Sequence, residues 1–150
     1  MTEHSETRIV PYTADLMYAV VADVERYPEF LPWVVALRVR SRTAEGGREI
    51  LLAEMAVGYR ALRERYTSRV TLDPANRSID VVAIDGPFHQ LENHWRFAPH
   101  DGGAKVEFAV NFQFSNQLLQ AAAGRAFETV LFKMTDAFEA RAAKLSQGVS

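Results

Sequence analysis

The sequence contains no cysteine, which excludes disulfides, thiolate nucleophiles and cysteine-based metal sites together. It has no apolar run approaching the ~20 residues that span a bilayer as a helix. The opening stretch MTEHSETR is too polar for a signal peptide and too acidic for a transit peptide, so the expected address is the cytosol. Net charge is scarce as well: 17 basic against 19 acidic side chains leave −2, which gives no general attraction to DNA. His4, His89, His94 and His100 lack the spacing of metal-binding histidines, and no nucleophile elbow, phosphate-cradling glycine loop or calcium loop occurs. The expectation is a protein with no catalytic residue, no metal and no cofactor.

What is present is apolar surface in ordinary amount and unusual places. With 48% apolar and 24% charged residues over 150 positions, the chain suits one globular domain, 1–150, able to bury roughly 70% of its unfolded surface. The densest segment is DVERYPEFLPW, Asp23 to Trp33. Pro28 and Pro32 deny a helix its backbone hydrogen bonds, so this stretch is a turn or very short helices. Tyr27, Phe30, Leu31 and Trp33 must then close over something, either the protein's own core or a bound apolar molecule.

Hydrophobic period divides the rest. A short strand over residues 4–10 ends at Pro11, and Thr13 caps a helix over 13–24. Alternation of Val35, Leu37 and Val39 with Arg38, Arg40 and Arg42 marks a half-buried strand. Further strands are predicted near 48–57, 59–72, 77–85, 89–98 and 104–114, separated by short turns. From Asn116 to about Leu145 the period returns to 3.6, with Gly124 offering a point for a bend. Short turns imply an antiparallel meander. The fold class is therefore α+β: a curved antiparallel sheet of six to seven strands around a long C-terminal helix, with two short helices after the first strand.

Alternation also assigns faces. Val106, Phe108, Val110, Phe112 and Phe114 look inward, as do Leu91, Asn93, Trp95 and Phe97, and Leu62, Tyr66, Val70 and Leu72. Glu64, Ser68 and Asn93 then fall on the inward face, where an unpaired polar group costs about 1–3 kcal/mol. Internal pairing, cavity water or the polar atoms of a ligand would each account for them. Tyr66, Trp95, Phe112 and Phe127 supply flat apolar walls nearby, a combination suited to a quinone or similar ring. Arg38, Arg40, Arg42, Arg63, Arg65 and Arg69 are expected on the convex face, solvated, paired across strands, or forming a stripe able to meet phosphate.

The segments V-P-Y-T-A-D (10–15), D-V-E-R-Y-P-E-F-L-P-W (23–33), R-E-R-Y-T-S-R-V (63–70), D-G-P-F (85–88), W-R-F (95–97) and F-x-M-x-x-A-F-x-x-R-A (132–142) resemble the coenzyme Q-binding branch of the START-like, polyketide-cyclase superfamily. The resemblance covers nearly the whole chain, and Y-P-E-F-L-P-W is its specific part. It implies a helix-grip (START-like, Bet v-like) fold and a non-enzymatic role: binding ubiquinone or an isoprenoid precursor in support of respiration. It places Tyr27, Pro28, Phe30, Leu31, Pro32 and Trp33 at a tunnel mouth, and Gly86, Pro87, Phe88 and Trp95 nearer its wall. With Leu62, Tyr66, Asn93, Phe112 and Phe127 from the strand and helix faces, these make the expected ligand-binding set. Transient contact with the inner membrane or a respiratory complex is implied too. The same branch includes ribosome-association toxins that bind the large ribosomal subunit, and the superfamily includes aromatase/cyclase enzymes, for which Glu64 and Tyr66 are the candidate cavity acid and base.

Overall fold

The computed structural model describes residues 2–147. Seven strands, β1 (Thr2–Val10), β2 (Val34–Glu45), β3 (Arg48–Tyr59), β4 (Leu62–Asp73), β5 (Ser78–Ala83), β6 (Phe88–His100) and β7 (Gly103–Phe114), form one antiparallel sheet. The helices are α1 (Ala14–Ala22), α2 (Tyr27–Phe30) and α3 (Gln117–Gln147). Strand order is β1-β7-β6-β5-β4-β3-β2, so the first two strands in sequence lie at opposite edges. The segment between them must cross the whole end of the sheet. On the way α1 packs on α3, β6 and β7, and α2 packs on β2. This is the helix-grip fold: a twisted sheet curving around α3.

Local chemistry sets the boundaries. Thr13 Oγ1 accepts the Leu16 N–H at 3.1 Å and starts α1. The helix stops at Ala22, short of the expected residue 24, and a 3₁₀ turn over Val24–Arg26 follows. A continuous helix would ask Pro28 for an N–H to bond Val24, and Pro32 for one to bond Pro28; neither has it. The Leu31 N–H instead closes on Tyr27 O at 2.8 Å and the Val34 N–H on Leu31 O at 3.0 Å, forming a rigid elbow. At the other end, Asn116 Oδ1 accepts the Leu119 N–H at 2.7 Å and begins α3. Its 31 residues extend about 46 Å and run unbroken through Gly124. That glycine leaves room for Gln120, whose Nε2 would lie 2.4 Å from an added Cβ and whose Oε1 accepts the Phe114 N–H at 3.4 Å.

The inward rows of β6 and β7 are buried as alternation predicts, against Phe127, Val130, Leu131, Phe138 and Ala142 of α3. Strand β2 departs from the expectation twice. Register shifts against β3 fall between Val34 and Ala36 and between Val39 and Ser41, each inserting one extra residue. The first turns Val35 outward, 65% exposed, and leaves Val34 to face the core. The second sets Arg42 opposite Leu51, which is fully buried, and opposed residues share a face. Arg42 therefore leaves the convex stripe for the concave side, where it pairs with Glu25 and, at 3.1 Å, with Glu49.

Strand β1 turns polar side chains inward. Arg8 pairs with Glu6 at 2.8 Å, Asp136 at 2.7 Å and Glu139 at 3.1 Å, and the Thr135 hydroxyl donates to Glu6 at 2.9 Å. This network latches α3 to the sheet edge. Among the described residues no helix is long and apolar enough to cross a membrane.

Candidate ligand-binding cavity

Side-chain size across the sheet creates a void. Strand β7 faces α3 with Phe108, Phe112 and Phe114, whereas β3, β4 and β5 turn the smaller Ala53, Ser68, Val70 and Val81 toward the space beneath the helix. The cavity has a volume of about 80 Å³. Val130, Leu131, Met134, Phe127 and Phe138 of α3 roof it, and Val24, Tyr27, Leu31 and Trp33 of the elbow close one end. Among the described residues no charged side chain lines it.

Polar atoms are set into one wall. Ser68 Oγ on β4 and Asn93 Oδ1 on β6 are enclosed and without a hydrogen-bond partner. Each such orphan costs about 1–3 kcal/mol. Tyr66 Oη, on the same face of β4, meets Met55 Sδ at 3.9 Å, a weak contact for a hydroxyl. Burial pushes the Tyr66 pKa up to about 12, so this phenol remains a donor at neutral pH. Tyr27 differs. Its hydroxyl is committed to the Val21 carbonyl, tying α2 to α1, and burial drives its pKa far upward.

The cavity brings together Tyr27, Leu31, Trp33, Tyr66, Asn93, Trp95 and Phe127 of the expected set. The remaining eight do not line it. Pro28 is exposed, like Pro32, and shapes the elbow from the solvent side. Phe30 packs edge-on against Tyr27 and Phe138 and lies under the Arg141 guanidinium at 5.0 Å, outside the void. Leu62 fills the end of the β3–β4 hairpin. Phe88 stacks on Phe114 at 4.8 Å, and Phe112 abuts Phe127 at 4.6 Å, so both rings are used in an aromatic layer behind the wall. Gly86 and Pro87 form the turn beneath Tyr66. With φ at +103° and an added Cβ 2.4 Å from Tyr66 Cβ, position 86 accepts only glycine without strain. Glu64 shares the inward face opposite Val57 but lies off the cavity lining.

Ser68 was legible as an inward residue. Met55 and Met134 line the cavity as well, Met55 because it stands opposite the inward Tyr66 across β3 and β4. On the convex side Arg40 pairs with Glu54 at 3.5 Å. Among the described residues Arg38, Arg63, Arg65 and Arg69 are exposed and make no ion pair.

Comparison with known proteins places this geometry. Residues 10–139 match the family described as polyketide cyclase/dehydrase and lipid transport. The chain is 37% identical over 145 residues to the ribosome association toxin RatA of Rickettsia prowazekii, covering 95% of this chain and 97% of that one. It is 32% identical over 148 residues to the mitochondrial coenzyme Q-binding protein COQ10 homolog B of Xenopus laevis, covering 95% of this chain and 59% of that protein. The solution structure of the 18 kDa protein CC1736 from Caulobacter crescentus superposes with a TM-score of 0.80 at 38% identity, over 98% of this chain and 99% of that one. The chain belongs to the polyketide cyclase/dehydrase and lipid-transport family.

Proposed function

We propose that the protein is a non-catalytic carrier of ubiquinone or a related prenylated ring, held between the sheet and α3 and delivered by transient contact with a membrane or respiratory complex. It works from the cytoplasm at the membrane periphery. The observation that carries the reading is the uncharged apolar cavity with unpaired Ser68 and Asn93 in its wall. A cyclase would need an acid and a base in reach of its substrate; Tyr66, kept protonated by burial, offers an acid, but among the described residues no carboxylate or histidine lines the space to serve as base. Similarity to a coenzyme Q-binding protein supports the same ligand class.

About 80 Å³ is less than a substituted ring occupies, so a guest enters by displacing side chains. Met55 and Met134, unbranched and half-buried, are the lining residues best able to move. Each isoprene unit of roughly 100 Å² contributes about 2.5 kcal/mol on burial, so a few units give micromolar affinity after association costs.

A second reading, association with the large ribosomal subunit, is favoured by the unpaired convex arginines Arg38, Arg63, Arg65 and Arg69 and by similarity to ribosome association toxins. Mass spectrometry of organic extracts from the purified protein separates the two. Near-stoichiometric prenylquinone supports the carrier. Lipid-free protein that co-sediments with large ribosomal subunits refutes it in favour of the second reading.

A further inference from the structure

Resting on the carrier reading, we infer that one end of the molecule docks on a bilayer surface rich in anionic phospholipid. That end is formed by the β3–β4 hairpin, the β5–β6 turn and the start of α3. Two independent features meet there: exposed aliphatic tips, and cations with no acidic partner.

The tips come from three elements. Leu118, in the first turn of α3, is 85% exposed, and Ile84, just past β5, is 49% exposed. Val35, turned outward by the first bulge of β2, adds a third. Backbone bonds hold them at one end. The Ile84 N–H donates to Thr67 O at 2.9 Å, and the Ser115 N–H to Pro87 O at 2.7 Å, which ties the β5–β6 turn to the start of α3. A Cβ added at Gly58 would lie 3.0 Å from Val35 Cγ2 and 3.4 Å from Arg63 Nη1, so the bare glycine sets a methyl group beside a guanidinium. Single exposed aliphatic residues are ordinary on a surface, but a group of them among cations marks a contact face.

The cations converge as well. Arg60, at a left-handed φ of +54°, holds its guanidinium over the Tyr59 ring, 5.1 Å from its centre. Lys133 reaches the same ring from α3 at 5.3 Å and donates to Tyr59 Oη at 3.3 Å. Like charges gathered at one ring repel. Among the described residues neither has a carboxylate partner, nor do Arg63, Arg65 and Arg125. Asp85, on the β5–β6 turn, is committed to the Thr67 N–H at 2.6 Å. At the opposite end of the sheet the cations are spent, Arg48 on Asp73 at 3.3 Å and Arg77 on Asp15 at 2.7 Å.

An anionic bilayer answers both features. Its phosphates take the guanidinium and ammonium groups, each basic side chain adding about fivefold in affinity, and its acyl region takes the aliphatic tips. The phosphates of a nucleic acid would pair with the same cations but leave Leu118, Ile84 and Val35 in water. The cavity reaches this end too. Val57 precedes Gly58, Met134 follows Lys133 and Tyr66 lies against Gly86, and all three line the space. A guest leaving there passes directly into lipid.

Co-sedimentation of lipid-free protein with vesicles of phosphatidylcholine, alone or with about one third phosphatidylglycerol, tests the docking face. Binding is expected to be at least about tenfold tighter on the anionic vesicles and to be lost between about 0.05 and 0.5 M salt. Leu118→Asp, and the pair Arg60→Glu with Lys133→Glu, should each weaken it by about tenfold or more. Ile9→Asp, an exposed apolar position at the opposite end, should leave it within about twofold. All these positions are exposed, so tryptophan quenching by a short-tailed prenylquinone in vesicle-free buffer should be unchanged in every variant. Equal binding to both vesicles, binding to neither, or variants that bind as the parent does overturn the docking face, while saturable quenching leaves the carrier standing. Loss of ribosome co-sedimentation in the Arg60, Lys133 pair with vesicle binding intact overturns it too, giving the cations to RNA. Parent protein that takes up no prenylquinone overturns both.

Discussion

Filling the void should stabilise the empty protein while abolishing its capacity for a guest, and Val81→Phe is the sharpest way to do both. Val81 sits on the central strand β5, opposite Val70 and Asn93, and all three line the cavity. The substitution adds four carbons directed at α3. Unfilled apolar space costs about 24 cal/mol per Å³, so occupying the 80 Å³ gap is worth at most about 1.9 kcal/mol. For a domain of this length that is a rise in Tm of about 4–8 °C. In a core already packed solid the same substitution costs about 1–3 kcal/mol. The sign therefore decides the matter. Urea unfolding reads stability, and quenching of Trp33 and Trp95, which both line the cavity, reads occupancy. A destabilised variant that still takes up a prenylated ring would refute the reasoning.

Three further outcomes are expected. Gly86→Ala should destabilise by about 2 kcal/mol or more in urea, since its Cβ would fall 2.4 Å from Tyr66 Cβ at a φ of +103°. Stability should decline in alkali: burial raises Tyr18 and Tyr66 to about 12 while unfolded tyrosines titrate near 10. The unfolded chain then releases protons the folded one keeps, so this contribution is full below about pH 10 and lost toward pH 12; Tyr66→Phe should flatten that limb of a pH-dependent unfolding series. Replacing Arg63 and Arg65 by Glu should leave ring binding within about twofold and reduce any ribosome co-sedimentation; loss of ring binding would show that the convex face and the cavity are not separate.

The strand faces were readable because period-two alternation is unbroken in β7 and, past the irregularity between Phe88 and Gln90, in β6. In β4 the inward row is also as its sequence implies, though the outward Thr67 and Asp73 are buried too. In β2 the same rule fails at Val35 and Arg42, because a bulge inserts a residue without a compositional mark. The inward face of β1 escaped notice for a different reason. Its alternate residues are His4, Glu6 and Arg8, all polar, so no hydrophobic period reveals which side meets α3. Which rings border the void was likewise hidden. Phe112 and Phe127 look equivalent along the chain, and only the tertiary layering puts one behind the other. Short helices across the proline elbow followed directly from missing N–H groups, a local property that the sequence carries in full.

The central claim is a cavity that opens to take one guest, and titration of lipid-free protein with a short-tailed prenylquinone tests it most directly. The account predicts saturable quenching of Trp33 and Trp95 with one ligand per chain, absent in Val81→Phe. No quenching, or the same quenching in both proteins, would contradict it.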